Sequence, residues 1–194
     1  LNNGYKLLGG KDEYKKNISG DEGHVIKEYI KYEETLAGNA ELIPDNWMDS
    51  CDIKIIRWAH LLLPTEQIAQ CSWKETFTED SDERCAWCVK LYINNVHEFA
   101  EVLFYFTVSI NQESRDVALV QMYSHPDNHL FEESNWTVWS ITKLGPEALH
   151  VVHVQSIISV VAIISHNHHV EARDIRFFVW EQIGLVLSAM PEKG

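Results

Sequence analysis

The sequence predicts a mainly β (α+β) protein, a Greek-key β-barrel or sandwich carrying an N-terminal helical arm, and three stretches carry that expectation. Residues 149–165, LHVVHVQSIISVVAIIS, alternate at first and then turn apolar on both faces from Ile157 to Ile164, broken only by Ser159. β-branched residues dominate this run, so it belongs in the middle of a sheet. Residues 96–110 form a second long run of period two. Against these stands one helical repeat, Val25, Ile26, Tyr29, Ile30 and Leu36, with Lys and Glu on the opposite face.

Taken in order, residues 1–17 are punctuated by Gly4, Gly9 and Gly10 and read as a loose arm. Ser19-Gly20-Asp21-Glu22 has capping-box spacing, in which the hydroxyl and the carboxylate satisfy each other's free amides. The helix that follows stops at Gly38-Asn39. Trp47 and Met48 follow Pro44 in a short turn expected to pack on the core. The chain thus divides into an arm and helix over residues 1–50 and a β-barrel domain over residues 51–194.

In the second part, strands are predicted over residues 53–62, 67–76, 86–93, 96–110, 117–124, 137–142, 149–165 and 176–183. In the strand over 96–110, Val96, Ala100, Val102, Phe104, Phe106, Val108 and Ile110 share one face by simple alternation. Glu79-Asp80-Ser81-Asp82-Glu83 reads as a solvated acidic loop. Short connections between many strands are what point to a barrel or sandwich.

The net charge of −13 on 194 residues repels phosphate, and Lys and Arg are scattered apart from Lys15-Lys16. That balance argues against direct nucleic-acid binding and favours a protein partner or a basic tail on one. Cys51, Cys71, Cys85 and Cys88 cluster in one region and do not form a disulfide framework, which points to a reducing, intracellular setting. Residues 1–20 lack the apolar centre of a signal peptide, and Leu1 in place of Met fits a piece of something longer. In that setting the sequons at Asn17 and Asn135 read as chance.

Candidate chemistry is sparse. Cys85-Ala86-Trp87-Cys88 lacks the second ligand pair that structural zinc requires, and reads as two separate thiols. His166-Asn167-His168-His169, with Glu171 and Asp174, is the better metal candidate, since imidazoles suit zinc, nickel or copper. His97-Glu98-Phe99-Ala100-Glu101 imitates the start of HExxH, but it lacks the second His and lies on a strand. No nucleotide-binding loop, nucleophile elbow or dinucleotide fingerprint is present, and no cofactor is expected. The aromatics Tyr123, Phe131, Trp136 and Trp139 crowd around one loop. They are either packing at the core's edge or an aromatic binding surface, even a cage for a methylated lysine.

RWAHLLLPTEQIAQCSWKE, RCAWCVKL, FAEVLFYF, VALVQMYSHPDNHLFEES, TVWS, LHVVHVQSIISVVAII and RFFVWEQIGL succeed one another over residues 57–187. In order and spacing they resemble the C-terminal β-rich region of fungal transposon-derived proteins, including those with Plavaka-type transposases. The chain departs from that pattern at Thr65-Glu66, where Asn-Gly is usual, and at His166, where Pro is frequent. No catalytic carboxylates are carried over, since no motif for them is present. The succession of elements is also similar to that of BAH domains, without the Arg and Thr of their central turn, a likeness that implies fold alone.

These readings lead to the expectation of a nuclear, non-catalytic interaction module, binding a basic segment or chromatin protein through Tyr123, Phe131, Trp136 and Trp139. The alternative is a metal-dependent hydrolase or nuclease built on His166, His168, His169, Glu171 and Asp174. A third expectation is a structural segment of a larger parent protein.

Overall fold

The computed structural model describes residues 4–8, 12–17, 20–38, 54–72, 86–110, 113–165 and 176–181. In chain order these form β1 (Lys6–Leu8), β2 (Asp12–Asn17), α1 (Gly20–Leu36), β3 (Lys54–Trp58), β4 (His60–Leu62), β5 (Ile68–Ala69), β6 (Cys88–Ile93) and β7 (Val96–Ile110). They continue as β8 (Glu113–Met122), α2 (Asn128–Glu133), β9 (Trp139–Thr142), β10 (Leu149–His153), β11 (Ile157–Ser165) and β12 (Arg176–Glu181), with 3₁₀ turns at Pro146–Ala148 and Val154–Ser156. The protein is β-rich α+β, as its patterning predicts, with antiparallel sheets and an N-terminal helix. The capping residue Ser19, Trp47, Met48, the acidic loop at residues 79–83, Cys51 and Cys85 lie outside the described residues.

One sheet runs in the order β10-β8-β7-β6-β11-β12-β9, with β3 added beside β7 and β2 beside β3; the other is β1-β4-β5. Of the barrel and the sandwich that the sequence leaves open, the long ladder does not close into a barrel. Its path curls instead, because Tyr123 beyond β8 bridges Lys143 beyond β9, and the Ser124 amide donates to the Thr142 carbonyl at 2.9 Å. These contacts join strands that stand apart in the ladder, without closing the sheet. The described parts of residues 1–17, β1 and β2, likewise depart from the loose arm expected there. β1 pairs with β4 and β2 with β3, so the N-terminal region is woven into both sheets.

β7 is the hub. It pairs with β8 along most of its length, with β6 through Val96–Glu101 and with β3 through Tyr105–Thr107. Its ladder with β8 slips between Val102 and Phe104, so Leu103 is an extra residue. A one-residue slip moves every later side chain to the other face. The single face expected from alternation is therefore corrected. Ala100, Val102 and Tyr105 pack under the small sheet with Leu61, Leu63 and Ala69. Phe104, Phe106, Val108 and Ile110 pack beneath α1 against Ile26, Val25, Tyr29 and Ile30. A third cluster, holding Phe99, Tyr123, Ile141, Val161 and Val179, fills the curl between β7 and the β9–β12 end.

The stretch at residues 149–165 is also broken where alternation gave no warning. The 3₁₀ turn at Val154–Ser156 splits it into β10, at the end of the ladder, and β11, which is interior between β6 and β12. Ile157 and Val161 are buried, whereas Ile164 is 55% exposed, so burial on both faces fails toward the end of β11.

α1 ends where Gly38 turns at φ +83, a left-handed conformation that glycine adopts without a side-chain penalty. Its buried side is pinned by charge. Glu33 pairs with Arg115 of β8, and the His153 Nε2 of β10 lies 3.5 Å from the Glu33 carboxylate. Buried Arg57 reaches Glu22 at 3.4 Å, and its guanidinium lies 3.9 Å above the Phe104 ring. Burial, then the Glu33 carboxylate, pushes the Tyr29 phenol up to about 12.

Truncating Phe106 to alanine in urea melts is expected to cost about 3–5 kcal/mol, the usual penalty for emptying a buried aromatic site. A loss under about 1 kcal/mol would mean the slipped face is not packed under α1. The Tyr29 phenol holds its proton more tightly folded than unfolded, so its contribution is intact below pH ~10 and declines as pH rises through its folded value. Tyr29→Phe should flatten the loss of stability between pH 10 and about 12 in alkaline urea titrations.

Candidate functional site

The sequence between β8 and β9 builds a small platform. Asp127 caps α2, its Oδ1 accepting from the amides of His129 at 3.1 Å and Leu130 at 3.2 Å. Its other oxygen accepts from Arg176 of β12 at 3.3 Å. The Leu130 amide and the Arg176 guanidinium hold the Asp127 carboxyl below the usual carboxylate range. At the far end the Ser134 hydroxyl donates to the Phe131 carbonyl at 2.9 Å and accepts from the Val138 amide at 3.1 Å. Both ends of this short helix are thereby tied to its neighbours.

Between those ties the chain turns sharply. Asn135 and Trp136 both have positive φ, +53 and +63. Asparagine tolerates that region, but a tryptophan there is uncommon and strained. The Trp136 amide donates to the Phe131 carbonyl at 2.8 Å, and the indole stands edge-on to Phe131 with centroids 5.3 Å apart. Phe131 in turn stacks on Trp139, at 3.5 Å and an interplanar angle of 12°. Trp139 leans on Phe99 of the core at 5.9 Å. The three rings form a staircase from the interior to the surface, and its top step, Trp136, is 66% exposed.

β12 and β6 supply the other wall. Trp180 of β12 is 64% exposed. The Trp139 indole N–H donates to Glu181 Oε1 at 3.0 Å, and Lys90 Nζ reaches the same oxygen at 2.7 Å. Lys90 also lies 5.7 Å from the centre of the Trp139 ring. Glu181 Oε2 has no hydrogen-bond partner among the described residues. His97 completes the floor beside Tyr92, 5.2 Å away, and its Nδ1 is buried without a partner among the described residues. Together these groups enclose a cleft of about 640 Å³.

Three of the four aromatics predicted from sequence, Phe131, Trp136 and Trp139, meet at this cleft. Tyr123 does not line it; the residue is buried against Phe177 in the third core cluster. Lys90, His97, Trp180 and Glu181 were not anticipated as site residues, and the only trace of Trp180 in the sequence is a large aromatic beside a charge in the last strand. His166, His168, His169, Glu171 and Asp174 lie outside the described residues, among which no group of three metal-binding side chains occurs. The HExxH-like residues lie on β7, where Glu98 is buried and faces His125 Nδ1 at 2.6 Å. Cys71 and Cys88 are separate, buried thiols. No described helix is long and apolar enough to cross a membrane.

The cleft presents exposed indoles at its mouth, one half-used carboxylate at its side and the Lys90–Glu181 ion pair within. Neither a protein-family model, nor a curated protein, nor a solved structure matches this chain.

The staircase separates two roles that alanine substitutions should resolve in thermal and urea melts. Trp139→Ala, which removes the middle ring and its bond to Glu181, should cost about 3–5 kcal/mol. Trp136→Ala should cost no more than about 1.5 kcal/mol, the worth of its edge-to-face contact with Phe131, because alanine keeps the same left-handed backbone.

Proposed function

We propose that the chain is a non-catalytic protein-interaction module that binds a basic polypeptide segment, seating one cationic side chain against Trp136 and Trp180 at the cleft's mouth. The observation that carries this is Trp136 itself: a large ring two-thirds exposed, held at positive φ. A cation over an indole face gains about 0.5–2 kcal/mol, more as water is excluded. Glu181 Oε2 offers a carboxylate oxygen beside those rings, since Lys90 and Trp139 both use Oε1. Lys90 occupies the inner end, which places an incoming ammonium or guanidinium at the rim.

The net charge of −13 supplies long-range attraction for basic partners. Exposed tryptophans are the residue type most enriched among side chains that dominate binding energy. The volume, about 640 Å³, falls within the ~300–1,000 Å³ usual for binding sites. The wider setting we propose is nuclear and transposon-derived, with the basic tail of a chromatin protein as partner. It rests on the resemblance of residues 57–187 to fungal transposon-derived proteins and on the acidic balance.

The test is fluorescence anisotropy with a labelled lysine-rich peptide and a twin in which norleucine replaces each lysine. Binding of the lysine peptide should weaken at least tenfold in Trp136→Ala/Trp180→Ala, with the circular dichroism spectrum unchanged, and the norleucine twin should bind at least tenfold more weakly. Equal binding of the twin, or an affinity indifferent to loss of both rings, would sink the reading.

A further inference from the structure

A second surface lies at the other end of the ladder. β10 pairs with β8 on one side only, and no described strand pairs with its outer edge. Open edges carry unpaired amides and carbonyls that template another strand, and proteins commonly cover them. Here α1 stands beside β10 but does not close the gap: a groove of about 630 Å³ remains between them.

The lining shows that this groove follows the strand's edge. Successive residues of a strand point to opposite faces. Leu149, His150 and Val151 nevertheless all line the groove, so it must run along the edge between those faces. The facing wall is one stripe of α1, Asp21, His24, Val25, Glu28, Tyr29 and Tyr32, at the three- and four-residue spacing of a single helix side. From Asp21 to Tyr32 that stripe rises ~16 Å at 1.5 Å per residue. Of β10, Leu149 to Val151 border the groove, ~10 Å at about 3.4 Å each. The helix wall is longer than that edge, and the space between them suits one extended segment of roughly three to five residues.

Charge selects the occupant. Asp21, Glu28 and Glu147 line the groove, and no Lys or Arg does. Val25, Tyr29, Leu149 and Val151 supply apolar contacts for alternate side chains.

We propose that an extended partner segment alternating basic and apolar residues adds to the sheet as a strand along the free edge of β10, its cations meeting Asp21, Glu28 and Glu147. Backbone pairing supplies the register, and the carboxylates select for positive charge. This surface is independent of the aromatic cleft, whose strands β12 and β9 close the opposite end of the ladder.

The probe is a synthetic octapeptide alternating valine and lysine, with a twin N-methylated on alternate backbone nitrogens so that it keeps its charge but cannot pair as a strand. Binding of the unmodified peptide should slow hydrogen exchange at the amides of residues 149–153, and the twin should bind at least tenfold more weakly. Glu28→Lys should weaken binding at least tenfold. Glu147→Lys, which lies off the helix and spares its stability, should do the same. The same charge reversal at exposed Glu132, on α2, should change affinity less than twofold. Equal binding of the twin, unchanged exchange at residues 149–153, or a Glu132→Lys effect as large as that of Glu28→Lys would each overturn the proposal. The last result would instead place capture at the aromatic end.

Discussion

The extra residue at Leu103 is the constraint on which the rest of the architecture depends. Before it, β7 turns Ala100 and Val102 toward the small sheet; after it, the same phase of alternation turns Phe104 and Phe106 toward α1. Without the slip, those phenylalanines would crowd the face that Leu61 and Leu63 already cover, and the apolar stripe of α1 would have no counterpart. A bulge also sharpens the local twist and bends its strand. That bend suits a strand that trades one neighbour, β6, for another, β3, partway along its length. One strand can then serve two covers because its side chains change sides once.

The sequence discloses period well and breaks in period poorly. The helical repeat anchored on Val25, Ile26, Tyr29 and Ile30 yields α1, and the bounds of β7 coincide with those read from alternation. Within β7, however, Leu103-Phe104-Tyr105-Phe106 is apolar at every position, so a shift of phase leaves no mark. The 3₁₀ turn at Val154–Ser156 hides for a similar reason: Val154 is itself buried, and the apolar pattern runs through it. β2 was illegible on other grounds. DEYKKN has no strand pattern, and its place comes from the edge that β3 offers. Tertiary context outweighs propensity in such short segments.

The cleft was legible only where its parts are neighbours in the chain. Phe131, Trp136 and Trp139 fall within nine positions of one another, and their clustering is visible without coordinates. The groups that give the cleft its polarity come from afar: Glu181 is 42 residues from Trp139, and Lys90 is 91 residues from Glu181. Their meeting follows from the pairing of β6, β11, β12 and β9, which composition and periodicity do not report. The position of Tyr123 illustrates the converse. It is close in sequence to the aromatic loop, yet its place in β-pairing with Lys143 turns it into the core.

The free energies around Trp136 bear on why that ring stands where it does. A left-handed backbone at a bulky residue costs about 1–3 kcal/mol. One edge-to-face contact, here with Phe131, returns about 0.5–1.5 kcal/mol, and an indole that remains two-thirds exposed leaves most of its apolar surface in water. Glycine at the same position would make the turn without strain. Folding alone therefore gives little reason for a tryptophan there, whereas a partner that covers the ring would recover the missing burial. The interior strands β6, β7 and β8 hold much of the buried core, and strain of this kind would be felt there through every packed neighbour. The end strands β9 and β10 have a paired neighbour on one side of the ladder only, so an exposed ring or an unpaired edge there disturbs little beyond itself. Both surfaces sit where the fold tolerates groups that add little to its own stability.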